Sequence, residues 1–181
     1  MTRSSRRRVG QLVLTAAFAL LVTACSHGSG HSTADASPTT TANTSTTVSR
    51  DAEVIAAWRR YWDVYIAVGG DVHMPDARLA TVASGDELKA LGASFLSAQA
   101  SGQVLRGSID LDPRVVTIAS SESVLRDCYM SHIVVVDRTT GSPVGAQRGE
   151  RTLVTATLVR QDGKWLVASI RHDGDGCSSA E

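Results

Sequence analysis

The spacing of apolar residues changes character once along the chain, at Gly102, and that change restricts the fold more than any other feature. Before it, Val54, Trp58, Tyr61, Trp62, Tyr65 and Ile66 fall on one face of a 3.6-residue period, which predicts an amphipathic helix. Ser49 is placed to cap that helix, Asp51 and Glu53 suit the positive end of its dipole, and Gly69-Gly70 stop it. A second, shorter helix is expected from Pro75-Asp76, using Leu79 and Val82 before Gly85. Ser84 and Glu87 have capping-box spacing ahead of a third, with Leu88, Leu91 and Phe95 on one face. After Gly102 the period becomes two: Leu105, Ile109 and Leu111 alternate with Arg106, Ser108 and Asp110, as in a strand with one wet face. Further strands are predicted at 115–119, 124–130, 132–137, 151–160 and 164–172, the last two joined at Asp162-Gly163, a pair that tolerates the positive φ of a tight hairpin. No helix-length crossover separates these strands, so they pair antiparallel. The expected class is α+β, with three N-terminal helices packed on a strongly curved antiparallel sheet.

The first 24 residues follow a different logic. A basic stretch from Thr2 to Arg8 leads into an apolar run from Leu12 to Ala24, the layout of a signal peptide. The run is 13 residues long, about 20 Å as a helix, against about 20 residues needed to span a bilayer core. Val22-Thr23-Ala24-Cys25 resembles the bacterial lipobox, in which the cysteine becomes a diacylglyceryl thioether and the preceding bond is cut. The expectation is a lipoprotein of the cell envelope, its Cys25 carrying fatty acyl chains such as palmitate and holding the chain on the extracytoplasmic face of the cell membrane. The alternative is an ordinary secretory signal with an incidental cysteine. Arg6-Arg7-Arg8 hints at twin-arginine export, but Val9-Gly10 follows where that signal has bulky apolar residues, which favours the general secretory route. Residues 26–49 hold 13 serines and threonines among 24 residues, too little apolar surface to order a core. The domain plan is thus a signal peptide over 1–24, a lipidated cysteine and disordered tether over 25–49, and one folded domain over 50–181.

Charge narrows the partners. Four of the 18 basic residues precede Cys25 and no acidic residue does, so from Cys25 onward 14 basic residues face 18 acidic ones, a net charge of −4. Nucleic acid needs clustered Lys and Arg and is not an expected partner. His27 and His31 in the tether are too few donors for a metal site, and no metal or cofactor is expected. Cys128 and Cys177 are the two cysteines left in the domain, and in an oxidising compartment they are expected to pair, the alternative being two free thiols.

Several runs carry a family resemblance: Trp58-Arg59-Arg60-Tyr61-Trp62-Asp63, Pro75 to Leu91, Gly102-Gln103-Val104-Leu105-Arg106-Gly107 and Asp112-Pro113-Arg114-Val115-Val116. Arg126-Asp127-Cys128, the run Val154 to Arg160 and Asp162-Gly163-Lys164-Trp165 continue it. In this order they resemble actinobacterial exported lipoproteins of unknown function with a nuclear transport factor 2-like domain, over roughly Arg50 to Glu181. The resemblance implies a cone, a long helix and two shorter ones over a bent sheet, with a pocket at its open end. Ketosteroid isomerases, polyketide cyclases, dehydratases and non-catalytic binding domains share that cone, so function has to be read from a site.

The candidate pocket residues are Trp58, Tyr61, Trp62, Tyr65 and Asp127. Asp127 neighbours Cys128 on a predicted strand, so if the cysteine faces outward the carboxyl faces the concave side. There it is a weak candidate for a catalytic base, with Tyr61 or Tyr65 as a phenolic donor. The competing reading has Asp127 paired with an arginine and the aromatics filling a core. His132 and His172 are read as structural or solvated, and His172-Asp173-Gly174-Asp175-Gly176 as a turn, since it lacks most ligands of a calcium loop. The leading expectation is a non-catalytic domain binding a small apolar ligand or an envelope protein. An isomerase-, cyclase- or dehydratase-like enzyme is the alternative.

Overall fold

The structure is a computed structural model that describes residues 42–145, 149, 151–175 and 177. The signal peptide, Cys25 and most of the expected tether lie outside the described residues. Helix α1 spans Ala42–Gly70. It begins before Ser49, which therefore lies inside the helix and does not cap it. Extending an existing helix costs far less than nucleating one, so the Ser/Thr-rich residues ahead of Arg50 continue the stripe's helix. The stripe itself faces inward, with Val54, Trp58, Tyr61, Trp62 and Val68 all buried.

The expected second helix is a single 3-10 turn, Leu79–Thr81. Leu79 and Val82 are both buried as their spacing suggests, and one tight turn suffices to present residues three apart on the same side. Among the described residues there are thus two α-helices, the second, α2, at Gly85–Ala100, anchored by Leu91 and Phe95. Ser84 sits at the N-cap of α2, but the reciprocal capping bonds do not form. The Ser84 amide donates instead to the Val167 carbonyl at 2.9 Å, which leaves the Glu87 carboxylate free for another partner.

Seven strands follow among the described residues: β1 Gln103–Arg106, β2 Ile109–Asp110, β3 Pro113–Ile118, β4 Glu122–Ser131, β5 Val134–Asp137, β6 Arg151–Gln161 and β7 Lys164–Asp175. All the strand pairs are antiparallel. The main sheet runs β2-β4-β6-β7, and β3 pairs with the same partner strand, β4, as β2 does. Strands β1 and β5 form a separate ribbon. The single strand expected across 105–111 is broken at Gly107-Ser108, opposite a second break at His132-Ile133. Gly107 has φ +114°, and a β-carbon there would run into the His132 carbonyl oxygen. Gly107→Ala is therefore expected to destabilise the domain by about 1–3 kcal/mol, measured by urea denaturation. The β6–β7 turn is as expected, with Asp162 and Gly163 at φ 49° and 77°. His172 to Asp175 belong to β7 and pair with β6 across a bulge, so this segment is strand and not a turn.

Burial alternates along the central strands. Ser123, Leu125, Asp127 and Tyr129 of β4 and Val154, Ala156 and Leu158 of β6 are buried, and both helices pack against the sheet. Cys128 points the other way and forms a disulfide with Cys177.

Candidate functional site

All three tyrosines of the chain, Tyr61, Tyr65 and Tyr129, line one cleft of about 380 Å³. Helix geometry explains two of them: positions 61 and 65 are four apart and lie one above the other on α1. Tyr129 comes from β4, two residues beyond Asp127 and so on the same face of the strand. The rings form a continuous aromatic wall. Tyr61 and Tyr65 stack at 6.4 Å between centroids, and Trp62 meets Tyr65 at 5.3 Å and Tyr129 at 5.2 Å. The opposite wall is α2, with Glu87, Ala90, Leu91 and Ser94, and β7 contributes Ile170 and His172.

Glu87 is the polar focus of the cleft. Its Oε1 accepts a hydrogen bond from the Tyr61 hydroxyl at 2.5 Å. Burial, reinforced by the adjacent Glu87 carboxylate, pushes the Tyr61 phenol well above its ordinary value. Burial likewise raises Tyr65 and Tyr129. All three hydroxyls therefore stay protonated at neutral pH. The Trp62 indole N–H is buried without a protein partner among the described residues.

Tyr61, Trp62 and Tyr65 are thus brought together at the cleft, whereas Trp58 and Asp127 are not on its lining and belong to the core. Trp58 is 0% exposed and Asp127 1%. Both carboxylate oxygens of Asp127 are engaged: Oδ2 accepts from Trp58 Nε1 at 2.6 Å and Oδ1 from the Asp112 amide at 2.8 Å. Burial raises its pKa, and these two donors oppose the rise. Its partner is an indole and not an arginine, and its surroundings are those of a structural carboxylate. His172, expected to be structural or solvated, is exposed and stands at the cleft. His132 lies elsewhere, with Nε2 3.0 Å from Asp110 Oδ2. Glu87 and Tyr129 also line the cleft, although neither is among the pocket candidates the sequence offers. Tyr129 was findable as the same-face neighbour of Asp127; Glu87 was hidden by a capping pattern that accounted for it.

No family model matches the sequence, and no curated protein is similar to it in sequence. Its fold is similar to the intermembrane space region of the chloroplast protein ARC6, with a TM-score of 0.52 and 11% identity, covering 65% of this chain and 91% of that one. The Kfla4162 protein from Kribbella flavida aligns with a TM-score of 0.48 and 15% identity, over 71% of this chain and 95% of that one. A domain of unknown function with a cystatin-like fold from Nostoc punctiforme aligns at 0.38 and 16%, over 74% and 78%. At such identities the likeness to the ARC6 region is one of fold alone.

Proposed function

We propose that this chain is an exported lipoprotein, cut before Cys25 and held by it at the outer face of the cell membrane, whose nuclear transport factor 2-like domain binds a small ring-bearing ligand without transforming it. The observation that carries the binding reading is the convergence of all three tyrosines, with Trp62, on one cleft. Its volume lies within the range of about 300–1,000 Å³ usual for small-molecule sites. Rigid aromatic walls with a few fixed polar groups suit recognition, and Tyr61 and Glu87 hold each other in place.

The order of elements, a long helix, a short turn, a second helix and then an antiparallel sheet, supports the nuclear transport factor 2-like assignment. The Cys128–Cys177 disulfide is consistent with an oxidising compartment outside the cytoplasm. An isomerase-like mechanism with Asp127 as base would need substrate to reach a carboxylate that is sealed and doubly bonded. A protein partner held on an apolar sheet face has less support: the exposed large hydrophobics among the described residues, Leu96, Val116 and Val144, lie on three different segments.

The site is tested by mapping amide chemical shifts while small ring-bearing amphiphiles are added. Shifts confined to Tyr61–Tyr65, Glu87–Ser94, Tyr129 and Ile170–His172 are expected. Shifts centred on the groove beside Asp110, Cys128 and Arg151, or no binding at all, would count against the cleft. For the anchor, Cys25→Ser is expected to move the protein out of the membrane fraction and abolish incorporation of labelled palmitate. Unchanged fractionation would remove the lipoprotein assignment.

A further inference from the structure

We infer that the cleft selects a cation, an organic ammonium carried on a ring-sized apolar body; this rests on the binding reading above and specifies its ligand. Three features of the cleft point the same way. The first is the carboxylate: Glu87 lies on the lining, partly buried, and its Oε1 is already held by the Tyr61 hydroxyl. A carboxylate has about four lone-pair sites, so Glu87 retains acceptor capacity for a ligand donor or charge. The second is the aromatic wall. Tyrosine and tryptophan rings present negative π-faces that attract ammonium groups, by about 0.5–2 kcal/mol per contact. The third is the composition of the rest of the lining, which includes no lysine or arginine among the described residues.

Burial is the main cause that raises Tyr61, Tyr65 and Tyr129; the Glu87 carboxylate adds to it at Tyr61 and Tyr65, and Asp127, on the same strand face, adds to it at Tyr129. An anionic ligand would meet Glu87 with no lysine or arginine to offset it. A neutral ligand would desolvate Glu87 without supplying an opposite charge, which is costly in a partly buried site. A ligand with an ammonium group placed against Glu87 and an apolar body against Trp62 and the tyrosines satisfies both halves of the cleft.

The test is calorimetric titration of the full-length chain, at low salt, with benzyltrimethylammonium, benzyl alcohol and benzoate, which share a ring and differ in charge. Benzyltrimethylammonium is expected to bind about tenfold more tightly than benzyl alcohol, with benzoate weakest. Glu87→Gln keeps an oxygen for the Tyr61 hydroxyl and removes the charge. It is expected to erase the preference for the ammonium while benzyl alcohol binding survives, which also shows that the variant is folded. Tyr65→Leu keeps an apolar wall without the ring and is expected to weaken the ammonium more than the alcohol. Equal binding of ammonium and alcohol, or a preference unchanged in both variants, would overturn the cation assignment and leave the binding cleft standing. Binding of none of the three probes would overturn both.

Discussion

Reduction of the Cys128–Cys177 bond is expected to lower the stability of the domain by about 4 kcal/mol, the largest effect of any single covalent change. The two cysteines are 49 residues apart in sequence. On the chain-entropy account, opening a loop of that length returns about 4 kcal/mol of conformational freedom to the unfolded state. The bond also ties the segment after β7 to β4, two strands away across β6, so it closes the C-terminal side of the sheet. For a domain of this size the loss corresponds to a fall of roughly 10–15 °C in Tm. Thermal melts with and without a thiol reductant, and of Cys177→Ser, measure it. A shift of only one or two degrees in both would mean that the bond constrains little that the fold does not already fix.

Replacing Asp127 by alanine is expected to cost about 2–4 kcal/mol. The substitution leaves the Trp58 indole N–H, fully buried on α1, without an acceptor, and strips a second acceptor from the Asp112 amide. A buried donor left unpaired costs about 1–3 kcal/mol, and the space vacated adds to it. Asp127→Asn is not a silent control. Its single carbonyl oxygen can serve one of the two donors, and its NH₂ then faces the other, so a loss of about 1–2 kcal/mol is expected. Trp58→Phe combined with Asp127→Val removes both halves of the bond, and the pair is expected to cost less than the sum of the single changes.

The charge on Asp127 has its own pH signature. Because burial raises its pKa in the folded state, the folded protein holds that proton more tightly than the unfolded chain does. The contribution is complete below the unfolded value and is lost as pH rises through the raised folded one. Asp127→Asn is expected to remove this step from the stability profile. Urea denaturation across the acid range reads both effects. An Asp127→Ala protein as stable as the parent would show that the Trp58–Asp127 contact does not hold α1 to the sheet.

The features legible in the sequence were those set by local chemistry. The stripe from Val54 to Ile66, the hairpin at Asp162-Gly163 and the outward cysteine beside an inward aspartate each follow from period or φ preference over a few residues. Where the structure departs from expectation, longer-range packing decides. Leu79 and Val82 satisfy a helical spacing with a single turn because β7 takes up the backbone immediately after them, through bonds between Val167 and the segment Val82–Ser84. That same pairing consumes the Ser84 amide and releases Glu87 to Tyr61. The break at Gly107 is invisible to alternation, because Leu105 and Ile109 keep their two-residue phase across it. At the site, the α1 tyrosines could be read from their helical spacing. Tyr129 and Glu87 meet them only through the pairing of distant segments.

The most direct test of the binding cleft is native mass spectrometry of the full-length protein purified without denaturation, beside an Ala90→Trp variant. Ala90 is an exposed residue of α2 on the cleft wall, so an indole there fills the space without disturbing the buried core. The account predicts a small molecule retained by the parent protein and missing from the variant, at equal thermal stability. A parent protein that carries nothing, or a variant that retains the same molecule, would contradict it.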